Sequence, residues 1–348
     1  MPGILIIAPN WIGDAVMTQP LLAKLQSQFP NSTIDVLASS WVAPIYRACA
    51  QVNEVIEAQF THRQLQWALR KQLAKDLQAK QYQFCFVLPN SFKSALIPWL
   101  ANIPLRIGYR GELRYGLINL ALDNPSKTNR PPMAQHYLAL ADVVANMAND
   151  DPSRSTDLAH QPQLQIQANA QKRVEQKLQD KTIDPATTYI LCPGAEYGPT
   201  KRWPTEHFAA LTNAILDQDA NHNVILLGGP GDKTLASQII QLCKKSDRLH
   251  DWCGTCSLDE SIALIGLCKA VVSNDSGLMH IAAALKTPQV AIFGSSDPKH
   301  TPPLSDKAKV IWLHLPCSPC HQRECPLGHL NCLKEIEPQQ VLATLNTL

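Results

Sequence analysis

Ile4-Leu5-Ile6-Ile7-Ala8-Pro9-Asn10-Trp11-Ile12-Gly13-Asp14 is the stretch that decides the fold. Ile4 to Ala8 form an unbroken apolar run, as in a strand buried on both faces of a parallel sheet. Pro9 to Gly13 read as a loop, and Asp14 precedes a helical pattern that continues to about Phe29. A strand, a short loop and a helix make the opening unit of an α/β fold.

Working outward, the same alternation continues. Thr33 to Ala38 reads as a strand, Trp41 to Cys49 as a short helix, and Phe84 to Leu88 as a strand followed by a helix from about Ser91. Leu65, Leu69, Leu73 and Leu77 recur every four residues and predict one buried helix face. Between Asp150 and Thr188 the texture turns polar, through Asp150-Asp151-Pro152-Ser153 and a Gln-rich run from Gln161 to Gln179, with a helix expected near Ala170 to Gln179. The alternation then restarts. Strands are expected at Tyr189 to Cys192, Val224 to Leu227, Ala270 to Ser273 and Gln289 to Phe293, with helices between them and a closing helix from Pro338. Right-handed crossovers between such strands give parallel sheets covered by helices on both faces. We therefore expect residues 1–165 and 166–333 to form two Rossmann-like domains, with 334–348 a helix returning toward the first. In such sheets ligands bind beyond the carboxyl ends of the strands, at a cleft.

Bulk composition agrees. A chain of 348 residues, 45% of them apolar, can bury two cores. A net charge of +2 argues against broad electrostatic binding of nucleic acid. No run of about 18 uncharged apolar residues occurs, so no membrane-spanning helix is expected. Met1 to Ala8 lack a basic leader and a cleavage site, so they read as a first strand rather than a signal peptide, in a cytoplasmic chain. Most of the eleven cysteines are then expected as free thiols, with Cys49, Cys85, Cys192, Cys243 and Cys268 serving as small buried hydrophobes.

Five loops carry residue types suited to chemistry. Asp14, after Gly13, is either a helix cap or a general base for a sugar hydroxyl. Pro193 to Pro204 contains Gly194, Gly198, Thr200 and the pair Lys201-Arg202, a cradle for phosphate or else a solvated basic loop. Leu227-Gly228-Gly229-Pro230-Gly231-Asp232 is a tight turn in which Asp232 could receive ribose hydroxyls. Asn274-Asp275-Ser276-Gly277-Leu278-Met279-His280 leads a strand into a helix N-terminus. There the Gly277 and Leu278 N–H groups suit a phosphate and Asp275 suits sugar hydroxyls, while His280 also fits a packed core histidine. Neither a Walker loop nor G-x-G-x-x-G is present. The fifth loop spaces Cys317, Cys320, Cys325 and Cys332 as C-x2-C-x4-C-x6-C. That suits a structural zinc, although the ligand pairs stand closer than in typical zinc modules, and free thiols or a redox-sensitive loop are the alternatives. Cys253-x2-Cys256 reads as an ordinary loop. Finally, Lys93, Arg106, Arg110, Arg114, Lys127 and Arg130 face only Glu112 and Asp123, a local basic excess suited to an anionic acceptor or an anionic membrane surface, or else a solvated face with no ligand.

Taken in order, Pro9 to Asp14, Pro193 to Gly198, Lys201 to Pro204, Asn274 to His280, and Cys317 to Cys320 with Arg323 to His329 resemble the bacterial heptosyltransferases of glycosyltransferase family 9, over essentially the whole chain. The resemblance implies a GT-B architecture and an inverting glycosyltransferase. It would move heptose from ADP-L-glycero-β-D-manno-heptose to the first heptose of the lipopolysaccharide inner core, on Kdo2-lipid A. It implies Asp14 as base and Lys201 as the cation on the leaving diphosphate. Gly13, Thr200, Lys201, Asp232, Asp275, Ser276, Gly277, Leu278 and His280 would face the donor, and Asn10, Lys93, Arg110 and Arg114 the anionic acceptor. No cofactor would be required, a divalent cation being at most a stimulant, and contact with the inner membrane would be peripheral. Relatives that transfer the first heptose carry a glutamate for the adenosine ribose, where this chain offers Asp232. Other nucleotide sugars or acceptors, a GT-B-like epimerase, or a nucleotide-sugar or zinc-dependent binding protein with a dead catalytic loop are the competing readings. The epimerase has no use for the basic Lys93 to Arg130 segment, and the binding protein none for Asp14, Lys201 and Asp275 together.

Overall fold

The computed structural model describes residues 3–61, 64–126, 130–145, 161–244 and 246–348. Lys127 of the basic segment and the Asp150-Asp151-Pro152-Ser153 stretch lie outside them. The chain divides into two units, Met1–Gln163 and Leu164–Leu348.

The first unit runs β1 (Gly3–Ile7), α1 (Ile12–Met17), α2 (Gln19–Gln28), β2 (Ile34–Ala38), α3 (Ala43–Arg47), β3 (Val52–Glu57), α4 (Trp67–Gln78), β4 (Tyr82–Val87), α5 (Phe92–Leu100), β5 (Leu105–Tyr109), β6 (Leu120–Leu122) and α6 (Met133–Ala145). Its strands form one parallel sheet in the order β3-β2-β1-β4-β5-β6. The apolar run at Ile4 to Ile7 lies at the centre, Ile4 opposite Ile34 on one side and Phe84 on the other. With both faces covered, these residues are fully or almost fully buried, as the unbroken apolar pattern requires.

The second unit runs α7 (Ala168–Asp180), β7 (Thr188–Cys192), α8 (Thr205–Gln218), β8 (Asn223–Leu226), α9 (Lys233–Leu242), β9 (Leu249–Asp251), α10 (Leu258–Leu267), β10 (Ala270–Asn274), α11 (Gly277–Ala284), β11 (Gln289–Phe293), β12 (Ala308–Trp312), α12 (Asn331–Lys334) and α13 (Pro338–Leu345). Its order, β12-β11-β10-β7-β8-β9, is that of the first sheet repeated. In both, the strand order reverses between the first and fourth strands of the unit. That reversal opens a crevice for ligand beyond β1 and β4, and again beyond β7 and β10.

Three expectations are corrected. The helical pattern from Asp14 to Phe29 is two helices, because Pro20 has no N–H to donate and restarts the helix after Thr18. The inner face of α4 is Arg70, Ala74 and Leu77, whereas Leu65 and Leu69 are exposed. Arg70 is drawn inward because its guanidinium donates to the carbonyls of Leu65 and Lys93 and lies 4.0 Å from the centre of the Phe60 ring. The closing helix, expected to return to the first domain, belongs to the second unit's core. Val341 and Leu345 of α13 pack in one cluster with Trp203, Phe208 and Ile292.

Candidate active site

In the first unit, β1 leads through Ala8–Trp11 into α1. Trp11 occupies the N-cap position with no side-chain cap, so Asp14 is not the cap but the third helical residue. Ala15, Val16 and Met17 are buried and fix α1 against the core, which leaves Asp14 half-buried. The loop is pinned from outside, the Trp41 indole donating to the Asn10 carbonyl at 2.8 Å. Two buried phenols, Tyr46 and Tyr137, lie within electrostatic reach of the Asp14 carboxylate. Burial first, and Asp14 with it, pushes both upward. The Tyr46 hydroxyl lies 3.1 Å from Thr18 Oγ1 at the end of the same helix. A carboxylate held on such a short, packed helix is suited to take a proton in fixed geometry.

Arg110 and Arg114 line a cavity of about 430 Å³ together with Tyr109, Tyr115 and Asn119. Their roles differ. Arg114 is buried and acts as a brace, donating to the Pro89 carbonyl at 2.7 Å, to Asn90 Oδ1 at 2.8 Å and to the Tyr109 carbonyl. It thereby ties the β5–β6 loop to the loop leaving β4. Arg110 is exposed and pairs with Asp123 at 2.6 Å. Lys93 reaches the Gln64 carbonyl at 3.2 Å.

The second unit gathers more. Asn274, fully buried at the end of β10, closes the loop after β7 at both ends. It accepts from Trp203 N at 3.0 Å and donates to the Pro193 carbonyl at 2.8 Å. Gly198 has φ 148 and ψ 179, a region open to glycine almost alone, and a Cβ there would meet the Arg323 carbonyl at 2.8 Å. The following turn places Lys201 Nζ 2.5 Å from Asp275 Oδ2, and Ser296 Oγ donates to that same oxygen at 2.5 Å. Lys201 is 18% and Asp275 4% exposed. Immediately after Asp275 stands the N-terminus of α11. Ser276 makes no side-chain cap there, so its side chain does not occupy the first-turn N–H groups of Gly277 and Leu278. His280 sits one turn further in. Burial first lowers its pKa to about 4, so it stays neutral and packs beside the charged pair without competing for an anion.

Asp232 adjoins this edge from β8. Its carboxylate accepts from Gly229 N at 2.9 Å and lies where a Cβ on Gly194 or Gly228 would stand. Those glycines therefore make room for a carboxylate. Thr200, almost wholly buried, donates its hydroxyl to the Gln322 carbonyl at 2.5 Å, which binds the Lys201 turn to the cysteine-bearing loop. Tyr197 adds a second tie, its hydroxyl donating to the His321 carbonyl at 2.7 Å.

Within the cysteine loop, backbone N–H groups of Leu330, Leu327, Gly328 and His329 lower the Cys325 thiol, while burial and then the other three sulfurs push Cys332 up to about 11. Among the described residues no three Cys, His, Asp or Glu side chains are gathered as a metal ion needs.

Sequence reading thus named Lys201, Asp275, Ser276, Gly277, Leu278, His280 and Asp232, and the fold brings them to one sheet edge. Asp14 and the basic residues stand in the first unit. Ser296 was missed. Its only signal was position, in the Gly294-Ser295-Ser296 exit of β11. Asn274 was quoted without its loop-closing role.

A cation beside a carboxylate, at an uncapped helix start in a Rossmann-like crevice, suits a diphosphate joined to a polyol. The comparisons agree. The profile of glycosyltransferase family 9 (heptosyltransferase) matches residues 70–331. Lipopolysaccharide heptosyltransferase 2 of Escherichia coli is 39% identical over 99% of this chain and 98% of its own. Lipooligosaccharide heptosyltransferase 2 of Haemophilus influenzae is 38% identical over 99% of each. The solved structure of E. coli ADP-heptose LPS heptosyltransferase II superimposes with a TM-score of 0.85 at 38% identity, covering 100% of this chain and 98% of that one. With the repeated strand order, this likeness establishes the two-domain GT-B architecture. The chain belongs to glycosyltransferase family 9, the heptosyltransferases.

Proposed function

We propose that this glycosyltransferase moves L-glycero-D-manno-heptose from ADP-heptose to the first heptose of the lipopolysaccharide inner core, with inversion. The observation that carries the reading is the Lys201–Asp275 pair beside the start of α11. The names of the relatives, which specify ADP-heptose and lipopolysaccharide, supply the substrate classes.

In this mechanism the acceptor hydroxyl gives its proton to Asp14, and its oxygen forms the new bond to the heptose C1. The bond from C1 to the β-phosphate oxygen breaks as the new one forms, and ADP departs with the electron pair. Negative charge grows on the diphosphate, where Lys201 Nζ and the Gly277 and Leu278 N–H groups receive it. Such preorganised donors stabilise the transition state more than the ground state. Asp275 and Ser296 orient Lys201 and turn carboxylate oxygen toward sugar hydroxyls, and Asp232 is placed for the ribose. The basic first-unit residues Lys93 and Arg110 meet the anionic acceptor, with Arg114 holding their loop. A divalent cation is a stimulant at most, and no nucleic acid takes part. No helix among the described residues is long and apolar enough to cross a membrane, and contact with the cytoplasmic face of the inner membrane is proposed as peripheral.

The test is ADP release from ADP-heptose, with and without heptosyl-Kdo2-lipid A, by wild type and by Asp14→Ala. Acceptor-dependent release that disappears in a folded variant is expected. Undiminished release by Asp14→Ala would remove the base assignment, and no release by wild type would remove the substrate pair.

A further inference from the structure

The first unit carries exposed apolar side chains to which the proposed transfer gives no step. Leu65, Trp67, Leu69, Phe92, Leu113 and Tyr115 are all exposed, Leu113 at 80% and Tyr115 at 82%. They lie on the segments that follow three strands, β3, β4 and β5. Hydrogen bonds join these segments into one apron. Lys93 Nζ donates to the Gln64 carbonyl at 3.2 Å, Arg70 Nη1 to the Lys93 carbonyl at 2.9 Å, and the Phe92 N–H to Glu112 Oε2 at 3.0 Å. Arg114, bonded to Pro89 and Asn90, fixes the outermost turn from behind.

That turn is unusual. Glu112 and Leu113 both adopt left-handed backbone, with φ of 41° and 54°. This is unfavourable for residues with a Cβ, and more so for a leucine. The held conformation leaves Leu113 and Tyr115 in water although nothing in the unit's core needs them there. An apolar group of this extent on a soluble unit marks an interaction surface.

Charge identifies the partner. Residues 64–130 contain ten Lys or Arg, from Arg70 to Arg130, and three acids, Asp76, Glu112 and Asp123, in a chain whose net charge is +2. Arg70 and Arg114 are buried, and Lys80 and Arg110 are paired with Glu54 and Asp123, which leaves Lys71, Lys75 and Lys93 among the cations at the surface. Tryptophan, tyrosine and leucine bordered by lysine and arginine suit the interface of a bilayer, where rings enter the headgroup layer and cations meet anionic lipid. We propose that the tract from Leu65 to Tyr115 docks the first unit on an anionic lipid bilayer, with Leu113 and Tyr115 as its inserting tip. The inference rests on the proposed lipid-linked acceptor and names the surface by which the enzyme reaches it.

The experiment uses the whole protein, wild type and Leu113→Asn/Tyr115→Ser. Asparagine tolerates the left-handed backbone, so the turn is kept and the apolar groups are lost. Co-sedimentation is measured with vesicles of phosphatidylethanolamine, with and without phosphatidylglycerol. Wild type should bind the anionic vesicles and release at high salt. The double variant should bind roughly tenfold more weakly, with an unchanged melting curve. Wild type left in the supernatant, or a variant that binds equally well, would overturn the proposal. So would a concentration-dependent dimer abolished by the same substitutions without vesicle binding, because the tract would then cover a second copy. Vesicle binding without heptose transfer would leave the surface and remove the reading of the acceptor; transfer to soluble acceptor without vesicle binding would remove the surface alone.

Discussion

Replacing Lys201 by alanine tests the centre of the second unit, because two effects of different size should separate. Lys201 and Asp275 are 18% and 4% exposed and 2.5 Å apart. Removing one partner of a buried pair strands the other charge, at a cost of about 3–5 kcal/mol. Lys201 retains some contact with water, and Ser296 still donates to Asp275, so the lower end, about 3 kcal/mol, applies. For a unit of this size, about 2–4 °C per kcal/mol gives a fall of roughly 6–12 °C in its melting temperature. The rate effect is separate. Loss of one preorganised group that meets developing charge costs about 10²–10³ in kcat. Lys201→Ala/Asp275→Asn removes both charges, and Asp275→Asn alone is the reference for its rate because Asp275 is itself assigned to sugar hydroxyls. Scanning calorimetry should show most of the lost stability restored, while acceptor-dependent ADP release stays slow. If rate recovered together with stability, Lys201 would be a structural cation and the leaving-group role would be wrong. An unchanged melting temperature in the single variant would show that the pair behaves as a solvated one.

Asp14→Asn keeps the shape of the residue and removes the base. Its kcat should fall about 10²–10⁴ with little change in melting temperature, and a kcat within tenfold of wild type would exclude proton abstraction by Asp14. Gly198→Ala forces a Cβ toward the Arg323 carbonyl in a backbone region that costs about 1–3 kcal/mol for other residues. It should lower the melting temperature and raise KM for the donor more than for the acceptor, and a neutral outcome by both measures would show the loop to be free. For His280 the folded pKa of about 4 lies below the ordinary 6.5, burial being the main cause. The unfolded chain therefore binds the proton first. The stability is complete above about pH 6.5 and is lost as pH falls toward 4, by up to about 3 kcal/mol. Chemical denaturation of wild type and His280→Gln across that window should show a shallower slope in the variant, and identical slopes would refute the assignment.

How far the fold was legible depended on where each strand stood. β1, β2 and β4, and β7, β8, β10 and β11, have neighbours on both sides and helices on both faces, and their apolar runs announce them. The strands left unread include all four sheet edges, β3, β6, β9 and β12. Val52-Asn53-Glu54-Val55-Ile56-Glu57 shows why. An edge strand is partly wet, so charged residues interrupt its pattern, and only pairing with β2 makes it a strand. β5 escaped for a related reason, since Arg106 lies within it and Gly108 breaks the run. The Leu65–Leu77 periodicity gave a helix and the wrong face, because a buried arginine with carbonyl partners outcompeted leucine for the inner position.

The site follows the same logic one level up. Motifs in the exits of β1, β7 and β10 could be read because a central strand leaves its signature just before each of them. What escaped depends on long-range contact. Ser296 meets Asp275 only because β11 lies beside β10. The buried bracing of Arg114 depends on β5 lying beside β4. One strand order, used twice, has been given unlike loops. In the first unit the exit of β1 holds a carboxylate in the first turn of a six-residue helix. In the second, the exit of β10 starts an uncapped helix with a cation 2.5 Å from its leading carboxylate. Asp14 stands in the first turn of α1, where the helix start favours the ionised carboxylate that a base must begin as, and in the proposed mechanism the departing diphosphate meets the start of α11 in the same way. In the proposed mechanism, proton abstraction and leaving-group stabilisation would thus draw on different loops of one repeated strand order.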